Sequence, residues 1–233
     1  MKKGMLLGVA LAMAGAVFGA KTTTLTCTAN GKWSTGTWSD GVPEDGDTVV
    51  LVNETGAPAV TENDLVDTLA LVRTEGNALI TLTGRVLTLS GSSAVKISSI
   101  NVAVSNTCDF VINVPVTASE NSVWVFGENL TFNQDVFIAD SKTLSLYRHY
   151  AQYAAQARTL TFNGCVSGPN ATICNRAVDT NEIYFKQLVT LKSGRKPAER
   201  PLYTIVWPGT SSALSIAGVS AAIGMPPGLC RLT

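Results

Sequence analysis

Histidine is almost missing from this chain: His149 stands alone among 233 residues, and no two cysteines fall in a Cys-x-x-Cys spacing. That leaves no ligand set for a structural zinc ion. Charge is scarce too, since only 15% of residues are Asp, Glu, Lys or Arg, and the two signs balance. A nucleic-acid binder needs a basic footprint to release counterions, and none is present. The nearest approach, Lys192 to Arg200, is interrupted by Pro197 and Glu199 and reads as an exposed connector. No G-x-S-x-G elbow and no phosphate-binding loop occurs. Nothing after the leader described below supplies the long apolar run of a membrane-spanning helix.

What is abundant is the text of β-strands. From Leu65 to Ala139, runs rich in Val, Ile, Leu and Thr alternate with Gly, Ser, Asn and Asp, as expected of short strands joined by turns. One phrase recurs five times as apolar-x-apolar-x-x-x-Val. It begins at Ile80, Phe110, Leu130, Leu160 and Ile183, with Val86, Val116, Val136, Val166 and Val189 at its end. Its fourth position is Thr83, Asn113, Asn133, Asn163 and Lys186. Two apolar residues spaced by two share one face of a strand, and the asparagine after them suits a turn. Strand and turn recurring at a period of roughly 20–30 residues predict a right-handed parallel β-helix over about 47–194. Leu82, Ile112, Phe132, Phe162 and Phe185 then face inward. In register, Asn113, Asn133 and Asn163 form a ladder of side-chain amides. A β-sandwich is the alternative, because short, evenly spaced strands describe that fold as well.

Residues 1–20 have the layout of a secretory signal peptide: Lys2 and Lys3, then an apolar run from Met5 to Phe18. Removing it leaves 15 basic residues against 17 acidic, a charge of about −2. The expectation is a protein secreted or held at the outer cell surface. Five cysteines follow the leader. Cys165 and Cys174 flank a Gly-Pro-Asn segment able to fold them together, so an oxidising compartment permits a disulfide between them. The residues 147–158, rich in Ala, Gln and Arg, predict one helical insertion on the solenoid's flank, with a stripe of Tyr147, Tyr150, Ala154 and Ala157. Residues 195–233, interrupted by Pro197, Pro201 and Pro208, predict a connector and terminal strands, the last of which reads as truncated.

The stretch Trp33 to Leu51 (WSTGTWSDGVPEDGDTVVL) resembles the opening of exported bacterial proteins with autotransporter-associated β-strand repeats. There a W-S-x-G-x-P phrase followed by G-D-x-V leads into the first rung of a parallel β-helix. The resemblance is confined to this stretch, and the repeat downstream agrees with it in style. It implies export and a solenoid, and it supplies no catalytic motif. The segment from Lys192 to Thr233 is too short for the membrane barrel that ends an autotransporter. Read from the residues alone, 21–46 form an entry and cap segment, with Trp33 and Trp38 covering the open end of the first rung.

Two functional readings remain open. The first is a non-catalytic structural or adhesive solenoid with neither cofactor nor metal. The second is a carbohydrate-active enzyme or sugar-binding module, in which Trp33, Trp38 and Trp124 stack on sugars. Cell-surface or extracellular polysaccharide is the partner class. For catalysis, Asp109, Asp135 and Asp140 are the available carboxylates, and His149 has no carboxylate beside it in sequence. The acidic residues Asp40, Glu44, Asp45 and Asp47 fit turn chemistry as well as they fit calcium.

Overall fold

The computed structural model describes residues 20–97, 99–148 and 158–175, together with 182–185, 189–190, 205–206, 214–216 and 229–230. The chain visits three parallel sheets in rotation, so each strand lies beside the strand one turn earlier. In the first sheet the order runs Thr22–Thr26, Thr48–Asn53, Leu71–Gly76, Ile100–Asn106, Ser122–Phe126, Thr143–Arg148 and Thr172–Asn175. The second holds Gly31–Lys32, Ala59–Asn63, Ile80–Gly84, Phe110–Ile112, Leu130–Phe132, Thr159–Phe162 and Glu182–Phe185. Thr68–Leu69, Leu87–Leu89, Val116–Ala118, Val136–Ile138, Val166–Ser167 and Val189–Thr190 form the third. Among the described strands, only the short Lys96–Ile97 and Leu229–Cys230 pair antiparallel. This is the stacked parallel architecture of a β-solenoid, and it sets the β-sandwich aside, because a sandwich is built from antiparallel strands.

The apolar pair of the repeated phrase lies in the second sheet. Ile80, Phe110, Leu130, Leu160 and Ile183 lie in one column, and Leu82, Ile112, Phe132, Phe162 and Phe185 in the next. All ten are buried. Phe132, Phe162 and Phe185 stack nearly flat, with centroids 5.2 and 4.9 Å apart and planes within 9° and 3°. Trp124 comes from the first sheet to lie on Phe132 at 4.7 Å. Parallel, in-register pairing dictates this, because identical positions in successive turns point the same way.

One member of the phrase departs from expectation. Val116, Val136, Val166 and Val189 align in the third sheet, but Leu87 sits beneath Val116, and Val86 is 53% exposed. The strand Ile80–Gly84 runs two residues longer than Phe110–Ile112 above it. Its turn is therefore displaced by one, and Gly84 (φ +110°) closes against the backbone of Asn63.

The solenoid begins earlier than the repeat suggests. Thr22–Thr26 already pairs parallel with Thr48–Asn53, so the first rung lies inside the stretch 21–46. The cap is the segment that follows. Leu25 bridges Trp38 antiparallel, Ser39 N–H donates to Thr24 O, and Thr24 N–H donates to Ser39 Oγ, so the free edge of the first sheet is covered. The third sheet starts one turn later. There Asp45 Oδ1 accepts Asp67 and Thr68 N–H, and Ala70 N–H donates to Asp47 O. A loop thus takes the place of a strand.

A second apolar cluster, Leu71, Val102, Val123 and Val125, lies apart from the core, with Ile97, Ile100 and Tyr147 packed on it. Val123 and Val125 alternate with Trp124 and so occupy the opposite face of the first sheet. That is why Ser122–Phe126 is buried throughout. The helical reading of 147–158 is corrected at both ends. Tyr147 and Arg148 belong to the strand Thr143–Arg148, paired with Val125 and Phe126, and Arg158 lies outside any helix, just before the strand Thr159–Phe162. Pairing with a neighbouring strand overrides local propensity there. Residues 149–157, including His149, lie outside the described residues, as do Lys186 and the stretch from Lys192 to Arg200.

Candidate functional site

The three tryptophans expected to meet sugar are core residues. Trp33 and Trp124 are fully buried and Trp38 is 9% exposed. Trp33 and Trp38 meet edge to face at 5.4 Å, and Trp38 Nε1–H donates to Trp33 O at 2.9 Å. No ring of the three presents a free face: Trp33 and Trp38 close the open end of the first rung against water, and Trp124 lies on a central strand with its ring stacked on Phe132 in the core. The sugar-stacking reading of Trp33, Trp38 and Trp124 is corrected accordingly.

The three carboxylates weighed for catalysis are separated by the topology. Asp109 lies at the turn into the second sheet, Asp135 at the turn into the third, and Asp140 at the turn back to the first. Each reaches one rung onward. Asp109 Oδ1 accepts Asn129 N–H and Nδ2–H at 3.2 and 3.0 Å. Asp135 Oδ1 accepts Cys165 N–H at 2.8 Å, and Asp140 Oδ1 accepts Asn170 Nδ2–H at 2.8 Å. Asp45 and Asp47 of the opening loop are similarly occupied. Asp47 is buried and accepts Lys21 N–H and Glu44 N–H, so turn closure explains it. Among the described residues, no three His, Cys, Asp or Glu side chains are placed to hold a metal.

A cleft of about 470 Å³ opens at the corner between the first and second sheets, lined in part by Gly76, Asn77, Leu79, Cys108, Asp109 and Glu128. Arg158, returning one rung above, engages both oxygens of Glu128, with Nη2 to Oε1 at 2.8 Å and Nε to Oε2 at 2.6 Å. Both side chains of that pair are more than four-fifths buried. Cys108 also lines the cleft, and burial pushes its thiol up. Neither Glu128 nor Arg158 stands out in the sequence. They lie one long turn of the solenoid apart, and only the register brings them together.

Cys165 and Cys174 do not form the disulfide that their spacing permits. Cys165 lies at the turn into the third sheet with a free thiol, while Cys174 sits on the first-sheet strand Thr172–Asn175 opposite Ser145. The Gly-Pro-Asn segment carries the chain around a corner instead of folding it back.

The feature that repeats is a pair of polar columns on the second sheet. Asn163 Nδ2–H donates to Asn133 Oδ1 at 2.6 Å, and Asn133 Nδ2–H donates to Asn113 Oδ1 at 2.5 Å. Across the strand, Asn129 donates to Asp109 and its Oδ1 accepts Thr159 N–H and Oγ1–H, each at 3.1 Å. The amide ladder expected from the repeat is therefore present, and a second column accompanies it.

Comparison with protein-family models, curated proteins and solved structures found no match to this chain. The class defined here is the fold's own: a three-sheet parallel β-solenoid with side-chain ladders at its corners.

Proposed function

We propose that this chain is a non-catalytic structural or adhesive β-solenoid, exported to the cell surface or beyond, of the kind carrying autotransporter-associated β-strand repeats. One observation carries the reading: the carboxylates that could do chemistry hold rungs together. Asp109, Asp135 and Asp140 each bind the next rung from a different corner, and Glu128 is clamped by Arg158. Hydrolysis of a glycosidic bond needs two carboxylates free to protonate and to attack or activate water. The layout of residues 1–20 and the Trp33–Leu51 opening support export.

The polysaccharide-cleaving reading has one observation in its favour, since Asp109 and Glu128 line a single cleft with Arg158 beside it. An assay separates the two. Purified protein is incubated with a panel of polysaccharides, with and without calcium, and newly released chain ends are measured. We expect none. Release that is abolished by Glu128→Gln or Asp109→Asn overturns the non-catalytic reading. Export is tested by sequencing the N-terminus of secreted material, which is expected to start between Val17 and Thr22; Met1 on a cytosolic protein overturns it.

A further inference from the structure

The outer face of the second sheet presents a grid of side chains in three columns. Asp109, Asn129 and Thr159 stand where the strands enter. Thr81, Val111, Thr131 and Thr161 form the centre, and Thr83, Asn113, Asn133 and Asn163 the exit. Resting on the non-catalytic reading above, we propose that this grid binds a neutral polysaccharide strand laid along the solenoid axis.

Alternate residues of a strand share a face about 6.6 Å apart, and successive rungs lie about 4.8 Å apart. The grid is therefore a strip about 13 Å wide and about 14 Å tall. Thr81, Val111 and Thr131 are half-buried, whereas Thr161 at the upper end is nearly covered at 9%. The centre offers methyl groups from threonine and valine, and both flanks offer amides and hydroxyls. A pyranose chain has the matching pattern, with C–H faces on its rings and hydroxyls along both edges. Each ladder asparagine spends one amide hydrogen or one oxygen lone pair on each neighbour, which leaves further donor and acceptor capacity for a ligand. The ladder bonds fix the side chains in advance, so binding need not order them.

Charge selects the class of polymer. Asp109 is the only ionised member of the grid, and Asn129 already bonds it. Below the grid, Lys32 and Glu62 pair with each other at 3.5 Å. An anionic polymer finds no cation on this strip, and a cationic one finds a single, engaged carboxylate. Area argues against a second copy of the chain. The strip covers on the order of 200 Å², well short of the roughly 800 Å² that each partner buries in a stable protein interface.

The test is retention of the whole secreted protein on insoluble cellulose and chitin, with the anionic polymers alginate and pectate in parallel. We expect retention on a neutral polymer and none on the anionic ones. Thr131→Glu and Thr81→Glu each place a charge in the central column and are expected to weaken retention by about tenfold or more. Thr117→Glu, on the outer face of the third sheet, is expected to leave it unchanged. Thermal melts confirm that each variant is folded, and the two grid variants serve as backups for each other. Equal retention by grid and control variants, retention on no neutral polymer, or preference for the anionic ones overturns the proposal. So does self-association in solution that Thr131→Glu abolishes, which would make the strip a copy-to-copy interface. Release of chain ends overturns the non-catalytic reading instead, so the two fail separately.

Discussion

Asn113, Asn133 and Asn163 bond one another on the outside of the solenoid wall, half-exposed to water. Asn53, Asn63 and Asn106 are turned inward and buried, and each ties up corner carbonyls: Asn53 Nδ2–H donates to Ala57 O and Leu79 O, and Asn106 Nδ2–H to Cys108 O and Asn129 O. Removing a partner costs more where water cannot replace it. Asn53→Ala is therefore expected to destabilise by about 2–3 kcal/mol and Asn133→Ala by about 1 kcal/mol, read from urea unfolding. The outer ladder was legible in the sequence because it sits at a fixed offset in the repeated phrase. The inner asparagines follow no repeat and end strands of different lengths, so their burial depends on corner geometry that spacing does not encode. The buried thiol of Cys27 gives a pH prediction. Burial pushes it up to about 12 from an ordinary 9.0, so the unfolded chain loses its proton first as pH rises. Its contribution is intact below pH 9 and is lost between 9 and about 12. Stability measured across that range is expected to fall, and to fall less steeply in Cys27→Ala.

Where the chain turns between strands, some corners leave no room for a β-carbon. Gly76 has φ +115°, and a Cβ there would lie 2.2 Å from Asn53 O. Gly46 also has positive φ, +90°, but meets nothing within 4 Å. Gly76→Ala must therefore move a rung's backbone and is expected to cost over about 3 kcal/mol, against about 1 kcal/mol for Gly46→Ala, compared by thermal melting. Strand existence was easy to read, since apolar residues two apart mark strands such as Ile80–Gly84 and Leu87–Leu89. Strand ends were not. The displaced turn after Gly84 put Val86 outside and Leu87 inside, which an averaged phrase hides. The first sheet was also harder to read, because Leu71, Val102, Val123 and Val125 are buried on its outer face and erase the inward-outward alternation.

Across the whole molecule, the covered N-terminal edge decides whether rungs stack within one chain or between chains. Trp38→Ala removes the bond to Trp33 O and the ring against Trp33, and it loosens the segment that closes the strand Thr22–Thr26. Exposed edges pair with other chains. Concentration-dependent oligomers are expected by size-exclusion chromatography for Trp38→Ala, with the native chain unchanged over the same range. The ladders carry a further, mechanical consequence. Every ladder bond joins neighbouring rungs and so runs along the solenoid axis, which means a pull along that axis loads the rungs in series. The weakest contact then yields alone, and extension proceeds in steps instead of one rupture. In the second sheet, the turn from Phe110 to Leu130 holds less chain than the turn from Leu130 to Leu160. At about 3.5 Å per extended residue, single-molecule stretching is expected to show releases of about 70 Å for the first and about 105 Å for the second. A force trace of unequal teeth would then spell out the spacing of the repeat.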